Sequence, residues 1–298
     1  MARALTLRPS AKINWSLRVG RRNDDGYHDV QTILQSIDVS DTLVFTRRVG
    51  PFAMTSRSTD VPVGESNLVW RAARALWLAA GRAGDPRDAH VKLTKEIPVG
   101  AGLGGGSADA AAALVGLNAI WNLKIPSGDL AQLGASLGAD VPFFLTGGTA
   151  MGVGRGDQIF PLVDVKPLGV VLITPPFGVS TAEAYGWFDA DGPAQKPATP
   201  GPSVVDGLPV GWPAGPLHII NDLQPPVARR HPLIQEAIDA CRAEGAMGAA
   251  MTGSGSAVFG VFSLAGAPRA ARRLRRREWQ VRATRTLTRT QARRRLTL

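Results

Sequence analysis

Cysteine, histidine, tyrosine and long apolar runs are all scarce in this sequence, and each shortage closes off a class of protein. Among 298 residues there is one cysteine, Cys241, so neither a disulfide framework nor a cysteine-based metal centre is available. A reducing, cytoplasmic setting fits that usage. No segment approaches the roughly 18 consecutive apolar residues of a spanning helix, and the opening MARALTLRPSAKINWSL has no apolar run resembling a secretory signal. A soluble protein without membrane partners is expected.

Two nucleotide signatures are also missing. There is no G-x-x-x-x-G-K-[ST] phosphate loop, and the H-R-D and D-F-G elements of protein kinases do not occur. Acidic residues are nearly absent at one end: from Pro268 onward there are twelve arginines and a single acid, Glu278, in a chain whose formal net charge is +10. The body is therefore close to neutral, and no nucleic-acid partner is expected from charge alone. The Arg-rich end after about Arg282 is read as a solvated tail, with a terminal strand and an anion-binding arm as the other options.

What the sequence does have is glycine, concentrated in PVGAGLGGGSADAAAAL at residues 98–114. Gly100, Gly102, Gly104, Gly105 and Gly106 allow positive φ and let backbone N–H groups approach a ligand closely, and the alanine-rich helix that follows points its free N–H groups at the same place. A flexible turn would be a costly use of five glycines, because each ordered one costs about 0.5–1 kcal/mol relative to alanine. An anion site, phosphate above all, is the reading. Gly100, Gly102 and Gly105 also satisfy G-x-G-x-x-G after the strand HVKLTKEIPV, which keeps a dinucleotide site open. The acidic residue expected about 20 positions on is not there.

In chain order, SAKINWSLRV alternates, with Ile13, Trp15 and Leu17 on one face and Lys12, Asn14 and Ser16 on a second face that pattern alone assigns to solvent. Tyr27 and His28 follow a charged turn and are either hairpin residues or a flat clamp for a ring. Asn67 caps a helix with Trp70, Ala73, Trp77 and Ala80 inward. Ser127 is a candidate cap for the next short helix, and Asp140, before VPFFL, reads as another cap. KPLGVVLITPP is a buried strand. The stretch 191–216 holds seven of the 22 prolines and is expected to lack regular structure. Residues 218–246 read as two helical pieces broken at Pro225 and Pro226, and the glycine-rich turn of AMGAAMTGSGSAVFGVF leads into a strand, followed by a helix and a last strand, WQVRATRTL.

Four stretches stand in the order found in the GHMP kinases: SAKINWSLRVGRRNDDGYHDVQT, PVGAGLGGGSADAAAAL, LGADVPFFLTGGTAMGVGRGD and AAMTGSGSAVFG. The chain resembles that family over residues 10–262, and AKIN followed by GYHD narrows the resemblance to the branch whose acceptor carries a cytidine diphosphate handle. The resemblance implies an α+β, two-domain GHMP kinase fold, with a ribosomal protein S5 domain 2-like amino-terminal domain (1–158) and a ferredoxin-like carboxy-terminal domain (159–298). It implies ATP as co-substrate with Mg²⁺, and transfer to the 2-hydroxyl of 4-diphosphocytidyl-2-C-methyl-D-erythritol on the non-mevalonate isoprenoid route. The alternative is a GHMP kinase acting on a sugar or a mevalonate-like alcohol.

Residue by residue, the family pattern makes Asp140 the catalytic base and Lys12 its electrostatic partner. Pro98, Val99, Gly100, Ala101, Gly102, Leu103, Gly104, Gly105, Gly106, Ser107 and Ala108 would bind ATP, with Ser107 near the metal. Tyr27 and His28 would recognise cytosine, Tyr185 would cover it, and Asn14 would reach the acceptor's polyol or Asp140. Ala108 stands where many relatives carry a second serine. A monomer or homodimer is expected.

Overall fold

The long pair that anchors the first half is β2 (Ser10–Arg22) against β3 (His28–Ser40). Ile13 and Trp15 of β2 are buried, but so are Lys12 and Asn14, each about 3% exposed. The face that alternation assigns to solvent is covered by other parts of the chain. Alternation identifies two faces without saying what lies on either. Register shifts fall between Asn14 and Ser16 and again beyond Val19, so the strand bends as it leaves the site. In the computed structural model the described residues are 4–192 and 219–297; the proline-rich stretch, beyond Gly192, lies outside them.

Three sheets carry the described chain. The first has order β1-β4-β6-β5, from β1 (Leu5–Leu7), β4 (Thr42–Pro51), β5 (Ala53–Ser56) and β6 (Arg87–Thr94). In the second, β2 and β3 are flanked by β7 (Thr149–Val153) and β8 (Gln158–Pro161) on one side and by β10 (Ile220–Asn221) on the other. The third, order β11-β12-β9-β13, is fully antiparallel and comprises β9 (Gly169–Thr174), β11 (Gly248–Met251), β12 (Val258–Phe262) and β13 (Gln280–Arg285).

Helices fill the space between. α1 (Leu68–Ala79) is capped by Asn67, whose side chain accepts from Val69 N at 2.8 Å. Its buried face is Val69, Ala72, Ala73, Leu76 and Trp77, rotated from the expected one, while Trp70 is half-buried. α2 (Gly105–Ile120) is buried on nearly every side, Ala108 and Ala110 to Ala113 included. A helix buried on nearly every side belongs in the middle of a domain, and alanine lets its neighbours approach. α3 (Ser127–Leu137) starts at Ser127, with Pro126 in the cap position. α4 (Val141–Thr146) begins directly after Asp140.

The central strands β9 and β12 of the third sheet are buried on both faces, which accounts for the unbroken apolar run of β9. Val170 and Leu172 join the first core, where Phe259 meets Trp15 edge-on at 5.7 Å. Val171 and Ile173 join a second core with Ile234 and Ile238 of α7 (Leu233–Ala243) and Ala267 of α8 (Gly266–Arg273). The remaining helices are α5 (Thr181–Asp191) and α6 (Gln224–Arg230). Pro225 and Pro226 open α6 rather than break a helix, since proline's missing N–H costs nothing in a first turn.

The carboxy-terminal segment corrects the solvated-tail expectation. After β13 it makes a bridge from Thr286 to Ile37 of β3 and closes with α9 (Arg289–Arg293), capped reciprocally by Thr288 and Gln291. Arg289 donates to the carbonyls of Thr149 and Leu162, both at 2.7 Å, and Arg295 to Asp38 and Ser40, both at 2.5 Å. These two guanidiniums find fixed acceptors, so the end of the chain is docked, while Arg293 and Arg294 beside them stay exposed.

Candidate active site

A cleft of about 1250 Å³ opens between the glycine loop and the turn after β11. Residues 98–107 all line it; Ala108 does not, because it is one of the fully buried core residues of α2. Gly104 holds the cap position of α2 with φ of 73°, and Gly102 turns at φ of 75° where a Cβ would strike the carbonyl oxygen of Thr252. The loop is stitched in place on both sides, by Lys12 N donating to Leu103 O at 3.0 Å and Ala257 N donating to Ala101 O at 3.1 Å. It is a rigid cradle at the start of a helix, the geometry that binds anions.

Facing it are Lys12 and Asp140. Lys12 Nζ lies 3.5 Å from Asp140 Oδ2, with the lysine side chain 4% and the aspartate 35% exposed. Asp140 stands at the cap position of α4, but its carboxylate caps nothing; it is turned to the cleft. Asn14 accepts from Lys12 Nζ at 2.7 Å through Oδ1 and donates through Nδ2 to Thr32 at 2.8 Å. Asn14 thus reaches Lys12. Ser107, third residue of α2, lines the same cleft.

Below the loop sits a group of charges that no local pattern announced. Lys95 donates to Asp41 and, at 2.9 Å, to Asp109 of α2; the three side chains are 8%, 0% and 4% exposed. Burial alone would lower the Lys95 pKa, but the charges of Asp109 and Asp41 outweigh it and hold the ammonium above its ordinary value. Burial pushes the Asp109 carboxyl up to about 8, against the pull of Lys95 and with help from Asp41. Lys95 and Asp41 are 54 residues apart in sequence, so only the fold brings them together.

At the other end of the cleft, Tyr27 is 57% exposed and Arg155 stacks on its ring at 4.3 Å. His28, by contrast, is buried at 8%. Its Nδ1 faces Gly20 O at 3.0 Å and its Nε2 lies 3.0 Å from Asp189 Oδ1. Tyr185, on the same helix as Asp189, places its ring 5.3 Å from that of His28. Burial, reinforced by the nearby Asp140 charge, pushes the Tyr185 phenol up to about 12. The structure thus brings Lys12, Asn14, Asp140 and the glycine loop into one group and Tyr27, His28 and Tyr185 into another on the same cleft wall. Sequence reasoning missed Thr252, Lys95, Asp109 and Asp189; Asp109 and Thr252 carried a signal, lying inside the first and second glycine-rich stretches.

A rigid anion cradle facing a carboxylate and an ammonium across a cleft marks a class of enzyme that passes a phosphoryl group between small molecules. Comparison with known proteins agrees. Residues 67–148 match the family described as GHMP kinases N terminal domain, and residues 212–280 match GHMP kinases C terminal. A 4-diphosphocytidyl-2-C-methyl-D-erythritol kinase of Pelotomaculum thermopropionicum is 43% identical over 95% of this chain and 98% of its own. The enzyme of the same name from Moorella thermoacetica is 43% identical over 86% of this chain and 90% of its own. A crystal structure of 4-(cytidine 5'-diphospho)-2C-methyl-D-erythritol kinase superposes with a TM-score of 0.75 at 33% identity, covering 95% of this chain and 99% of the other.

The chain belongs to the GHMP kinases and, within them, to the 4-diphosphocytidyl-2-C-methyl-D-erythritol kinase family. It is a small-molecule kinase of the α+β GHMP fold with ATP as co-substrate. The dinucleotide reading of the glycine loop is thereby set aside.

Proposed function

We propose that this kinase transfers the γ-phosphate of ATP to the 2-hydroxyl of 4-diphosphocytidyl-2-C-methyl-D-erythritol, on the non-mevalonate route to isoprenoid precursors. The observation that carries the chemistry is the 3.5 Å approach of Lys12 Nζ to Asp140 Oδ2 opposite the glycine loop. Phosphoryl transfer asks mainly for positioning and charge neutralisation. The loop's backbone N–H groups hold the donor phosphates. Asp140, whose carboxylate caps no helix, takes the proton of the attacking hydroxyl, and Lys12 offsets the charge that develops. Attack is direct and in line, without a phosphoenzyme.

Tyr27 offers an exposed ring face for cytosine, and His28 and Tyr185 form the floor behind it. The halves that meet at the cleft are taken as residues 1–158 and 159–298. A magnesium ion fits the donor set: Ser107 opens toward the cleft from the first turn of α2, and Mg²⁺ is commonly held by one or two protein oxygens plus substrate phosphates. When bound it would supply further charge neutralisation at the phosphates.

The deciding experiment measures ADP release with the cytidylyl acceptor and with sugar and mevalonate-like alcohols, in wild type and Asp140→Asn. Turnover should be confined to the cytidylyl acceptor, and Asp140→Asn should lose about 10²–10⁴-fold in kcat while still binding ATP. Turnover within a few-fold of wild type would remove Asp140 as the base, and preference for another alcohol would overturn the acceptor.

A further inference from the structure

Lys12 is held from behind by an amide, and an amide has two chemically different ends. If Asn14 turned its NH₂ toward the Lys12 ammonium, two donors would face each other with no acceptor between them. Something must therefore keep Oδ1 on the lysine side. The surrounding hydrogen bonds hold it there. The hydroxyl of Thr252 accepts the backbone N–H of Asn14 at 3.1 Å and lies 3.1 Å from Asn14 Oδ1, to which it donates. On the other side, Asn14 Nδ2 donates at 2.8 Å to the hydroxyl of Thr32, whose own proton goes to the Ser16 carbonyl at 2.7 Å. Because a carbonyl only accepts, Thr32 has an acceptor site left for Asn14 and no proton to give it. Thr32 therefore demands an NH₂, and Thr252 gives its own proton to the oxygen at the other end of the amide.

Thr252 is fully buried and lies outside the cleft lining, so it touches neither substrate. It follows β11, 238 residues from Asn14. Gly253, next in the chain, sits so near that a Cβ there would come within 3.1 Å of Lys12 Nζ, which leaves the ammonium little room on that side. We infer that Thr252 is a positioning residue for phosphoryl transfer: its hydroxyl locks the Asn14 amide so that Oδ1 holds the Lys12 ammonium toward Asp140. The inference rests on Lys12 and Asp140 being the reacting pair.

The test compares Thr252→Val, which keeps the shape and removes the hydroxyl, with Thr252→Ser, which keeps the hydroxyl. Thr252→Val should lower kcat by about 10- to 100-fold, the scale of a reacting group displaced by an ångström, with KM for ATP and acceptor little changed. Thr252→Ser should restore most of the loss. Thr32→Val frees the other end of the same amide and should give the same kcat-selective loss, and together with Thr252→Ser it decides the matter if Thr252→Val does not fold. In an Asn14→Ala background, Thr252→Val should add little further loss. Wild-type kcat in Thr252→Val, a serine variant as slow as the valine variant, or full additivity with Asn14→Ala would each overturn the inference. Lys12→Met separates the two layers: if it keeps wild-type kcat the reacting pair is wrong, whereas its failure beside an unaffected Thr252→Val sinks only the role of Thr252.

Discussion

At the scale of single residues, the buried triad under the glycine loop sorts its protons by counting donors. Asp41 accepts the backbone N–H groups of Glu96 at 2.6 Å and Ile97 at 2.9 Å as well as Lys95. Asp109 has Lys95 on one oxygen, and its Oδ1 is buried without a partner among the described residues. A bare buried oxygen favours the protonated form of Asp109. The two aspartates therefore answer differently to the same substitution. Asp41→Asn should cost about 3–5 kcal/mol in urea unfolding, because it strands the Lys95 charge. Asp109→Asn, replacing a group that is neutral near pH 7 with a neutral amide, should cost about 1 kcal/mol or less. The pH dependence follows with its sign. A carboxyl raised from 3.8 to about 8 on folding contributes stability that is full below about 3.8 and is lost as pH rises through about 8. Wild type should thus weaken relative to Asp109→Asn between pH 5 and 8.5, and parallel curves would show that Asp109 does not hold the proton.

At the scale of elements, α5 decides what kind of site the GYH hairpin can make. Its first turn is fixed by a reciprocal cap between Ser180 and Glu183, and it delivers Tyr185 and Asp189 to His28. His28 is then bonded at Nδ1 to Gly20 O, while its buried Nε2 lies 3.0 Å from Asp189 without a hydrogen-bond partner among the described residues, which leaves Tyr27 as the exposed ring. Tyr27→Ala should raise KM for the cytidylyl acceptor by about 10-fold or more, the worth of a base stacked on an aromatic, and leave KM for ATP unchanged. Equal loss of both would show that Tyr27 supports the cleft as a whole. Here the limits of reading a sequence are plain. The glycine loop, its helix and the Asn67 cap were legible because each is local, a few residues whose chemistry constrains their own backbone. The pairing of His28 with Asp189, and of Lys95 with Asp41, depends on which helix closes over which strand, and no periodicity encodes that. Asp140 shows the same limit from the other side: a helix-cap sequence was read correctly as a helix start, yet the carboxylate points elsewhere.

At the scale of the whole molecule, each half completes the other. β10 adds a parallel edge to β2, and the arginine-rich end returns from the third sheet to pack α9 beside α4 and β7. Charge composition could not reveal this, because an arginine that snorkels to solvent and one that is clamped by carbonyls look the same in a sequence. Asp38 is the acidic anchor of the clasp, taking Arg295 at 2.5 Å and Arg285 at 3.1 Å. Burial alone would raise its pKa, but the hydrogen bonds from Arg295 and Arg285 outweigh that and hold the carboxyl below its ordinary value. A carboxyl lowered on folding contributes stability that is present above its unfolded value of 3.8 and lost as pH falls through the folded one. Asp38→Asn should therefore cost about 1 kcal/mol at pH 7, the scale of a part-exposed charged contact, and the difference from wild type should shrink toward zero as pH falls through the lowered folded value. High salt at pH 7 should narrow it as well. Urea titrations of the two proteins at pH 7 and at the lowest pH where both still fold would measure it. An undiminished difference in acid would mean that Asp38 holds the clasp by shape rather than by charge, and that the arginines dock on carbonyls alone.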